Sequence, residues 1–286
     1  MQIKLDNVSY IYNKGNKFEK RALDQVDLEI SQGEFIGLIG HTGSGKSTLV
    51  QHLNGLMLPT EGSVFIDGED TADKKVLKTE IRKKVGLVFQ YPEYQLFEDT
   101  IYNDIAFGPR NIGCTEEEAE ERVRWACDMT GVDFEEAKEL SPFELSGGQK
   151  RRVAIAGVIA MKPKFLVLDE PTAGLDPIGR EEILSEIHRL YKEENITVIL
   201  ISHSMEDVAR LADRLLVMDN GKIIMDDETR KVFQRSSELK EIGLNIPQVT
   251  EFIDAFRERG NPIRDDIYTV EEAFLEMKDY LRGQKL

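Results

Sequence analysis

The stretch GHTGSGKST, from Gly40 to Thr48, constrains this chain more than any other part of it. Gly40, Gly45, Lys46 and Ser47 stand at the G-x-x-x-x-G-K-[ST] spacing. The glycines, Gly43 included, let the backbone turn so that successive N–H groups converge on phosphate oxygens. A helix starting behind such a loop adds its free N-terminal donors and positive end. Lys46 has the reach to meet the β- and γ-phosphates, and the Ser47 hydroxyl can supply an oxygen to Mg²⁺. His41, Thr42, Ser44 and Thr48 complete the cradle. The flanks fit. FIGLI, 35–39, is a short apolar run whose length favours a buried strand, and STLVQHLNGL, 47–56, reads as a helix ending near Gly55. The expectation is a nucleoside triphosphate site for ATP with Mg²⁺ at residues 40–48, and hydrolysis of the ligand.

The other segments build a frame around that loop. IKLDNVSY (3–10) and ALDQVDLEI (22–30) alternate as strands, with a polar hairpin excursion over 13–21 between them. SVFIDG (63–68) is a third strand ending in an Asp67-Gly68 turn. VGLVFQ (85–90), FLVLDE (165–170) and ITVILIS (196–202) read as buried strands, and 215–221 with KIIMDD as a hairpin through Asn220-Gly221. Helices are expected over 115–131, where Thr115 and Glu118 form a capping box, over 148–161, and over 178–193 with Ile183, Ile187 and Leu190 on one face. The order implies an α/β core of the P-loop NTPase kind, with an antiparallel β subdomain and an inserted helical subdomain over about 91–163. These form one unit over 1–235. A helical appendage over 236–286 follows. It carries Val249, Phe252, Ile253 and Phe256 on one helix and Val270, Phe274, Met277 and Leu281 on another, the second capped by Thr269 and Glu272. It is too short to bury much core alone, so it must pack on the main unit or on a partner.

Two further constellations carry chemistry. Asp169, at the carboxyl end of FLVLDE, can hold Mg²⁺ or its water shell, and Glu170 beside it can orient or deprotonate an attacking water. An acidic pair at a strand end is by itself equally a helix cap or a turn. Only its company with the 40–48 loop makes it a candidate site. LSGGQ (145–149) sets Ser146, Gly147, Gly148 and Gln149 at the head of a helix. That makes either an ordinary N-cap or a second anion-receiving nest.

Composition narrows the surroundings. Lys and Arg number 37 against 53 Asp and Glu, a formal net charge of -16. That balance weighs against broad binding to nucleic acid and against direct adhesion to anionic lipid. The most apolar run is short, VAIAGVIAM over 153–161, well below the roughly 18 residues that span a bilayer. MQIKLDNVSY reads as a strand rather than a secretory leader. Cys114 and Cys127 give neither a metal spacing nor a disulfide framework. A cytosolic protein is expected, and a peripheral one held by an integral membrane partner would look the same.

LSGGQ, the 40–48 loop and FLVLDE, in this order, resemble the nucleotide-binding subunits of ABC transporters, and the likeness covers about 1–230. The resemblance implies that Tyr12 stacks on adenine, with Tyr10 as the competing position. Gln90 would contact Mg²⁺ and the attacking water, His203 would meet the γ-phosphate and support Glu170, and the loop at 174–176 would cross between paired subunits through Asp176. It also implies a two-chain site, in which Ser146, Gly147, Gly148 and Gln149 serve the nucleotide of a homologous partner. The stretch FQYPEYQLFEDTIYNDIAFGPRNIG (89–113) is similar to that of energy-coupling factor (ECF) transporter ATPases and their cobalt and nickel importer relatives. AGLDPIGREEIL and LSGGQKRRVAIAGVIAMKP look more like the second of the paired ECF types. Implied partners are a homologous ATPase subunit, an integral membrane coupling subunit docking near Tyr91–Phe97, and substrate-binding membrane subunits, all at the cytoplasmic face of the membrane. In the Tyr94, Leu96 and Phe97 cluster, docking and internal packing of Leu96 and Phe97 both stay open. The function implied is energising an importer of vitamins or related micronutrients. The alternatives are a cobalt or nickel importer ATPase and, from another class, a soluble ATP-dependent dimerisation switch.

Overall fold

The structure is a computed structural model and describes residues 1–76 and 78–283, so the end of the 236–286 segment lies outside the described residues. In chain order, β1 (Gln2–Tyr12) and β2 (Lys20–Ser31) lead to β3 (Phe35–Ile39), α1 (Lys46–Leu53), β4 (Glu61–Ile66) and β5 (Glu69–Asp70). Next come α2 (Lys78–Lys84), β6 (Val85–Val88), α3 (Ile101–Asn111), α4 (Glu116–Met129), α5 (Phe134–Ala137) and α6 (Gly147–Ile159). β7 (Phe165–Asp169), α7 (Pro177–Glu194), β8 (Thr197–Ile201), α8 (Met205–Leu211), β9 (Arg214–Asp219) and β10 (Lys222–Glu228) complete the α/β body. The chain ends with α9 (Thr229–Gln234), α10 (Ser236–Glu241), α11 (Gln248–Glu258) and α12 (Val270–Gly283).

Two sheets organise these elements. The larger has the order β10-β9-β3-β8-β7-β6, parallel except for the β9–β10 hairpin at one edge. β3, β6 and β8 are buried at every position, as the unbroken apolar runs of parallel strands covered on both faces require. The smaller sheet, β2-β1-β4-β5, is antiparallel, and its alternating pattern puts Ile3, Leu5, Leu28 and Ile30 inward. Those side chains share one core with Leu49, Leu53, Ile199 and Leu216, so the two sheets enclose α1 and hold it rigidly. The other face of the large sheet packs on α3, α4, α6, α7 and α8.

Local chemistry sets the helix ends. The Thr115–Glu118 capping box forms in both directions, at 3.2 and 2.9 Å. Asp176 caps α7 by accepting from the Gly179 N–H at 2.7 Å, with Pro177 in the first turn. α3 contains Gly108-Pro109, a pair that often breaks helices. The helix runs through both, because Pro109 sits in its last turn and Gly108 admits Met161 of the neighbouring segment: a Cβ there would lie 2.9 Å from Met161 Cγ. α2 and α8–α10 are short and lack a repeating apolar period, so the sequence reading has no signal for them.

In the appendage, the expected stripe of α11 is buried in part, through Ile253 and Val249, and that of α12 is mostly exposed. Ile253, Ile267 and Ala273 form its small core. Arg230 of α9 ties it to the body through Asp266 at 2.8 Å and Glu272 at 2.6 Å, with its guanidinium over the Tyr268 ring. These anchors turn the small Ala273 side of α12 inward. Of the stripe Val270, Phe274, Met277 and Leu281, Met277 is half-buried and the other three point to solvent together with Phe252. The appendage thus packs on the main unit and still presents an apolar face.

Gly37, in the middle of β3, is a packing constraint. A Cβ there would lie 2.6 Å from Val208 Cγ1 and 2.9 Å from Leu215 Cδ1. Gly37→Ala is expected to destabilise the fold by about 1–3 kcal/mol, the cost of overpacking a filled core. Urea denaturation measures this, and an unchanged midpoint would refute the tight α8–β3 contact.

Candidate active site

The register of the parallel strands decides which side chains meet. Val88 pairs with Leu168, Asp169 with Ile201, and Leu38 with Ile201. Two residues further along, these ladders bring Gln90 beside Glu170 and Gly40 beside His203. Strand ends in an open parallel sheet are where loops can form a crevice. The side chains follow: Gln90 Nε2 donates to Glu170 Oε2 at 2.9 Å, and His203 Nε2 lies 2.8 Å from Glu170 Oε1. Glu170 turns sharply out of β7 at φ 51°, its N–H donating to Ile201 O. A left-handed conformation at a non-glycine residue costs about 1–3 kcal/mol and is kept where the surroundings enforce it.

The loop between β3 and α1 is held from below. A Cβ on Gly40 would lie 2.4 Å from Met218 O, and one on Gly45, at φ 111°, 2.6 Å from Ala22 O. Both approaches are to backbone, so no side chain fits at either position. His41 braces the loop against the end of β9, its Nε2 2.8 Å from Asp219 Oδ1. Gly45 caps α1 without a side-chain acceptor, and the first turn of α1 holds no acidic residue. The donors and positive end of α1 therefore face the loop unopposed. Lys46 folds over the loop and donates to Gly40 O at 2.6 Å and His41 O at 3.1 Å. Burial lowers its pKa, while Glu170 and Asp169 nearby act to raise it. Burial likewise raises the Asp169 carboxyl, a shift that a hydrogen bond from Ser47 opposes. A phosphate anion would favour the charge on Lys46, and a cation would favour the charge on Asp169.

These groups line one cleft of about 610 Å³, which includes Tyr12, Thr42, Gly43, Gly45, Lys46, Ser47, Thr48, Gln90, Glu170 and His203. Tyr12, and not Tyr10, reaches it. The Tyr12 hydroxyl lies 3.2 Å from Thr48 Oγ1, whereas Tyr10 is wedged between Tyr12 and His52, its ring edge-on to both. Ser44 is buried beneath the loop, its hydroxyl without a partner and its carbonyl accepting from the Gly221 N–H. Ser146, Gly147, Gly148 and Gln149 do not join the cleft. They start α6 on the helical subdomain with a two-way capping box, Ser146 N–H to Gln149 Oε1 at 3.0 Å and Gln149 N–H to Ser146 Oγ at 3.3 Å. A Cβ on Gly147 or Gly148 would meet nothing within 4 Å, so this helix start is open to an approaching molecule.

Sequence reasoning missed two features. Phe18 and Lys20 also line the cleft, although the 13–21 stretch reads as plain polar hairpin. Arg151, in the run KRRVAI, looks like surface charge but is 2% exposed. It donates to both carboxylate oxygens of Glu93, at 3.2 and 2.9 Å, and to the carbonyls of Pro171 and Ala173, at 3.1 and 2.7 Å. A basic residue inside a basic run carries no sequence signal of burial. The aromatic cluster also divides: Leu96 is internal, while Tyr94 and Phe97 are 84% and 57% exposed. Phe97 meets Phe107 edge-on at the mouth of an apolar groove between α3 and α6.

Known proteins share this arrangement. The family model described as ABC transporter matches residues 23–173. The energy-coupling factor transporter ATP-binding protein EcfA2 of Clostridium perfringens is 56% identical over 283 residues, 99% of each chain. Its namesake from Clostridium tetani is 58% identical over 277 residues, 97% of this chain and 96% of that protein. Among solved structures, cbiO1 of Clostridium perfringens, part of the ABC transporter complex cbiONQ, superposes with a TM-score of 0.72 at 36% identity, over 88% of this chain and 98% of that one. A dimeric ATP-binding cassette in a post-hydrolysis state with ADP and Pi gives 0.70 at 32% identity, over 79% and 98%. With this likeness running end to end, the chain belongs to the ABC transporter family, among its energy-coupling factor transporter ATP-binding proteins.

Proposed function

We propose that this chain is the second-type ATPase of a heterodimeric pair that drives an importer of vitamins or related micronutrients. It is an ATP-hydrolysing subunit of an ECF-type ABC transporter. The observation that carries the catalytic reading is the meeting of Gln90, Glu170 and His203 beside Lys46 and Ser47 in one cleft. In this reading Tyr12 stacks on adenine, and the backbone of residues 40–48 with Lys46 holds the phosphates. Water attacks the γ-phosphorus in line, the bond to the bridging oxygen breaks, and ADP leaves. Glu170 accepts the proton of the water, and His203 fixes its carboxylate. Lys46 and the N–H groups at the start of α1 offset the charge that develops.

Ser47, Asp169 and Gln90 offer hydroxyl, carboxylate and amide oxygens, the hard donor set that suits Mg²⁺. Among the described residues no group of three or more His, Cys, Asp or Glu is placed to cage a metal. A nucleotide-borne ion needs no such cage, since substrate phosphates and waters fill its other positions. When bound, Mg²⁺ would neutralise phosphate charge.

The pairing reading rests on the separation of LSGGQ from the cleft. Ser146, Gly147, Gly148 and Gln149 form an open helix start, where a Cβ on Gly147 or Gly148 would meet no described atom within 4 Å. A homologous subunit would bring its nucleotide there, and its own LSGGQ would face the 40–48 loop. The apolar stripe of α12 suits the same partner, so the 236–286 segment, carried by the 1–235 ATPase unit, is a dimer contact. No described helix is long and apolar enough to cross a membrane. Work must then pass to an integral membrane partner at the cytoplasmic face. The groove of about 480 Å³ lined by Leu96, Phe97, Phe107, Val158 and Met161 is the docking place for its coupling subunit. A cobalt or nickel importer would use the same ATPase surfaces, and the substrate-binding membrane protein that co-purifies separates the two.

Glu170→Gln is expected to lower phosphate release by the assembled complex by about 10²-fold or more while ATP binding persists, in line with the typical contribution of general-base chemistry. Near-normal turnover would remove Glu170 from the role of base. Phe97→Asp sets a charge in the groove and is expected to abolish co-purification with the integral subunit from detergent-solubilised membranes. The variant chain should keep its affinity for ATP. Undiminished recovery of the complex would move docking away from this groove, and a wild-type chain recovered with no integral protein would favour a soluble ATP-dependent switch.

A further inference from the structure

The hairpin between β1 and β2 carries one large apolar side chain at its tip, Phe18, which is 82% exposed. The tip is organised. Asn16 N–H donates to Asn13 O at 2.9 Å and Glu19 N–H to Asn16 O at 3.1 Å. Gly15 N–H donates to Glu19 Oε2 at 2.8 Å, and Asn13 Nδ2 donates to Phe18 O at 3.4 Å. The hairpin tip is therefore ordered, and Phe18 lines the cleft together with Tyr12 and Lys20.

Position within the cleft narrows what the ring can meet. Tyr12 and Lys20 face each other in the last pair of the β1–β2 ladder. The tip lies beyond that pair, at the end of the cleft where the nucleoside sits if Lys46 and Ser47 hold the phosphates. Tyr12 is anchored: its hydroxyl is tied to Thr48, and its ring packs edge-on to Tyr10 with centroids 4.8 Å apart. An anchored ring covers one face of a base and leaves the rest to solvent or to another group. We propose that Phe18 is a second aromatic contact for the nucleoside part of ATP, so that the hold on the base depends on Phe18 as well as on Tyr12. Stacking acts on any base through its π-face and reads no hydrogen-bond code. This site therefore ranks nucleotides by ring area, purines ahead of pyrimidines.

The inference rests on the ATP reading of the cleft, and the test separates the two. Dissociation constants for ATP and for inorganic tripolyphosphate, which has the phosphates and no base, are measured by calorimetry on the full-length chain with Mg²⁺. The proteins are wild type, Phe18→Ala, Phe18→Tyr and Lys46→Ala. Phe18→Ala is expected to raise the ATP constant about tenfold, equivalent to about 1.4 kcal/mol of lost stacking, and to leave tripolyphosphate unchanged. Phe18→Tyr restores ATP binding. An unchanged ATP constant in Phe18→Ala overturns the proposal, and so does an equal loss for both ligands, which would trace the effect to the phosphate loop. Lys46→Ala weakens both ligands. If it binds ATP as the wild type does, the ATP reading of the cleft fails, and the Phe18 contact falls with it.

Discussion

One buried guanidinium joins the parts of this molecule that must act together. Arg151 lies one turn into the helix that begins with LSGGQ. From there it grips Glu93, in the segment between the strand-end glutamine and the docking groove. Its remaining donors take the carbonyls of Pro171 and Ala173, just past Glu170. A charge this deep is tolerated when it is paired and hydrogen-bonded, and loss of one partner leaves it uncompensated at a cost of about 3–5 kcal/mol. The LSGGQ helix, the 91–97 segment and the turn carrying Glu170 are therefore coupled through a single planar group. A shift of the groove cannot leave the catalytic turn where it was without breaking that group's bonds.

The nucleotide cleft is satisfied by its own polar groups. Lys46 caps loop carbonyls, Gln90 and His203 share the two oxygens of Glu170, and Ser47 bonds to Asp169. In the proposed reaction each of these contacts is exchanged for one to phosphate, cation or water. Burial disfavours the charge on both Lys46 and Asp169, so the exchange is driven by the ligand's own charges. The site is rigid where the backbone carries it, at Gly40 and Gly45, and adjustable where side chains do.

Much of this was legible in the sequence because it lies in backbone pattern. Short apolar runs ending in GHTGSGKST, in Asp169-Glu170 and in His203 are strands, and Glu170 and His203 meet where two of them end. The Thr115 and Thr269 capping boxes mark true helix starts, and Asn220-Gly221 marks a true hairpin. What stayed hidden depends on side-chain partners far away in sequence. Arg151 looks like its basic neighbours until Glu93 is folded against it. Phe18 lies in a polar stretch, and its significance comes from facing Tyr12 and Lys20 across a cleft. In α12 the period of Val270, Phe274 and Leu281 correctly marks an apolar stripe, but periodicity cannot say whether its own body or another molecule covers that stripe. Arg230 and its two carboxylates decide the matter by holding the Ala273 side inward.

The ladder that sets Gln90, Glu170 and His203 side by side has a consequence for how such a chain can change over evolutionary time. Between β6 and β7 the polypeptide leaves the sheet for the whole α3–α6 excursion and returns in register. The strand ends are fixed by register, and within the excursion length can vary only in the links between the packed helices, away from Glu93 and Arg151. Loop-closure entropy rises slowly with length, so a long excursion costs little more than a short one. A single residue gained or lost inside a strand, by contrast, would turn Glu170 to the opposite face of the sheet. The links of the excursion are therefore where variants can be remodelled, while the short strands β6 and β7 are closed to insertion and deletion.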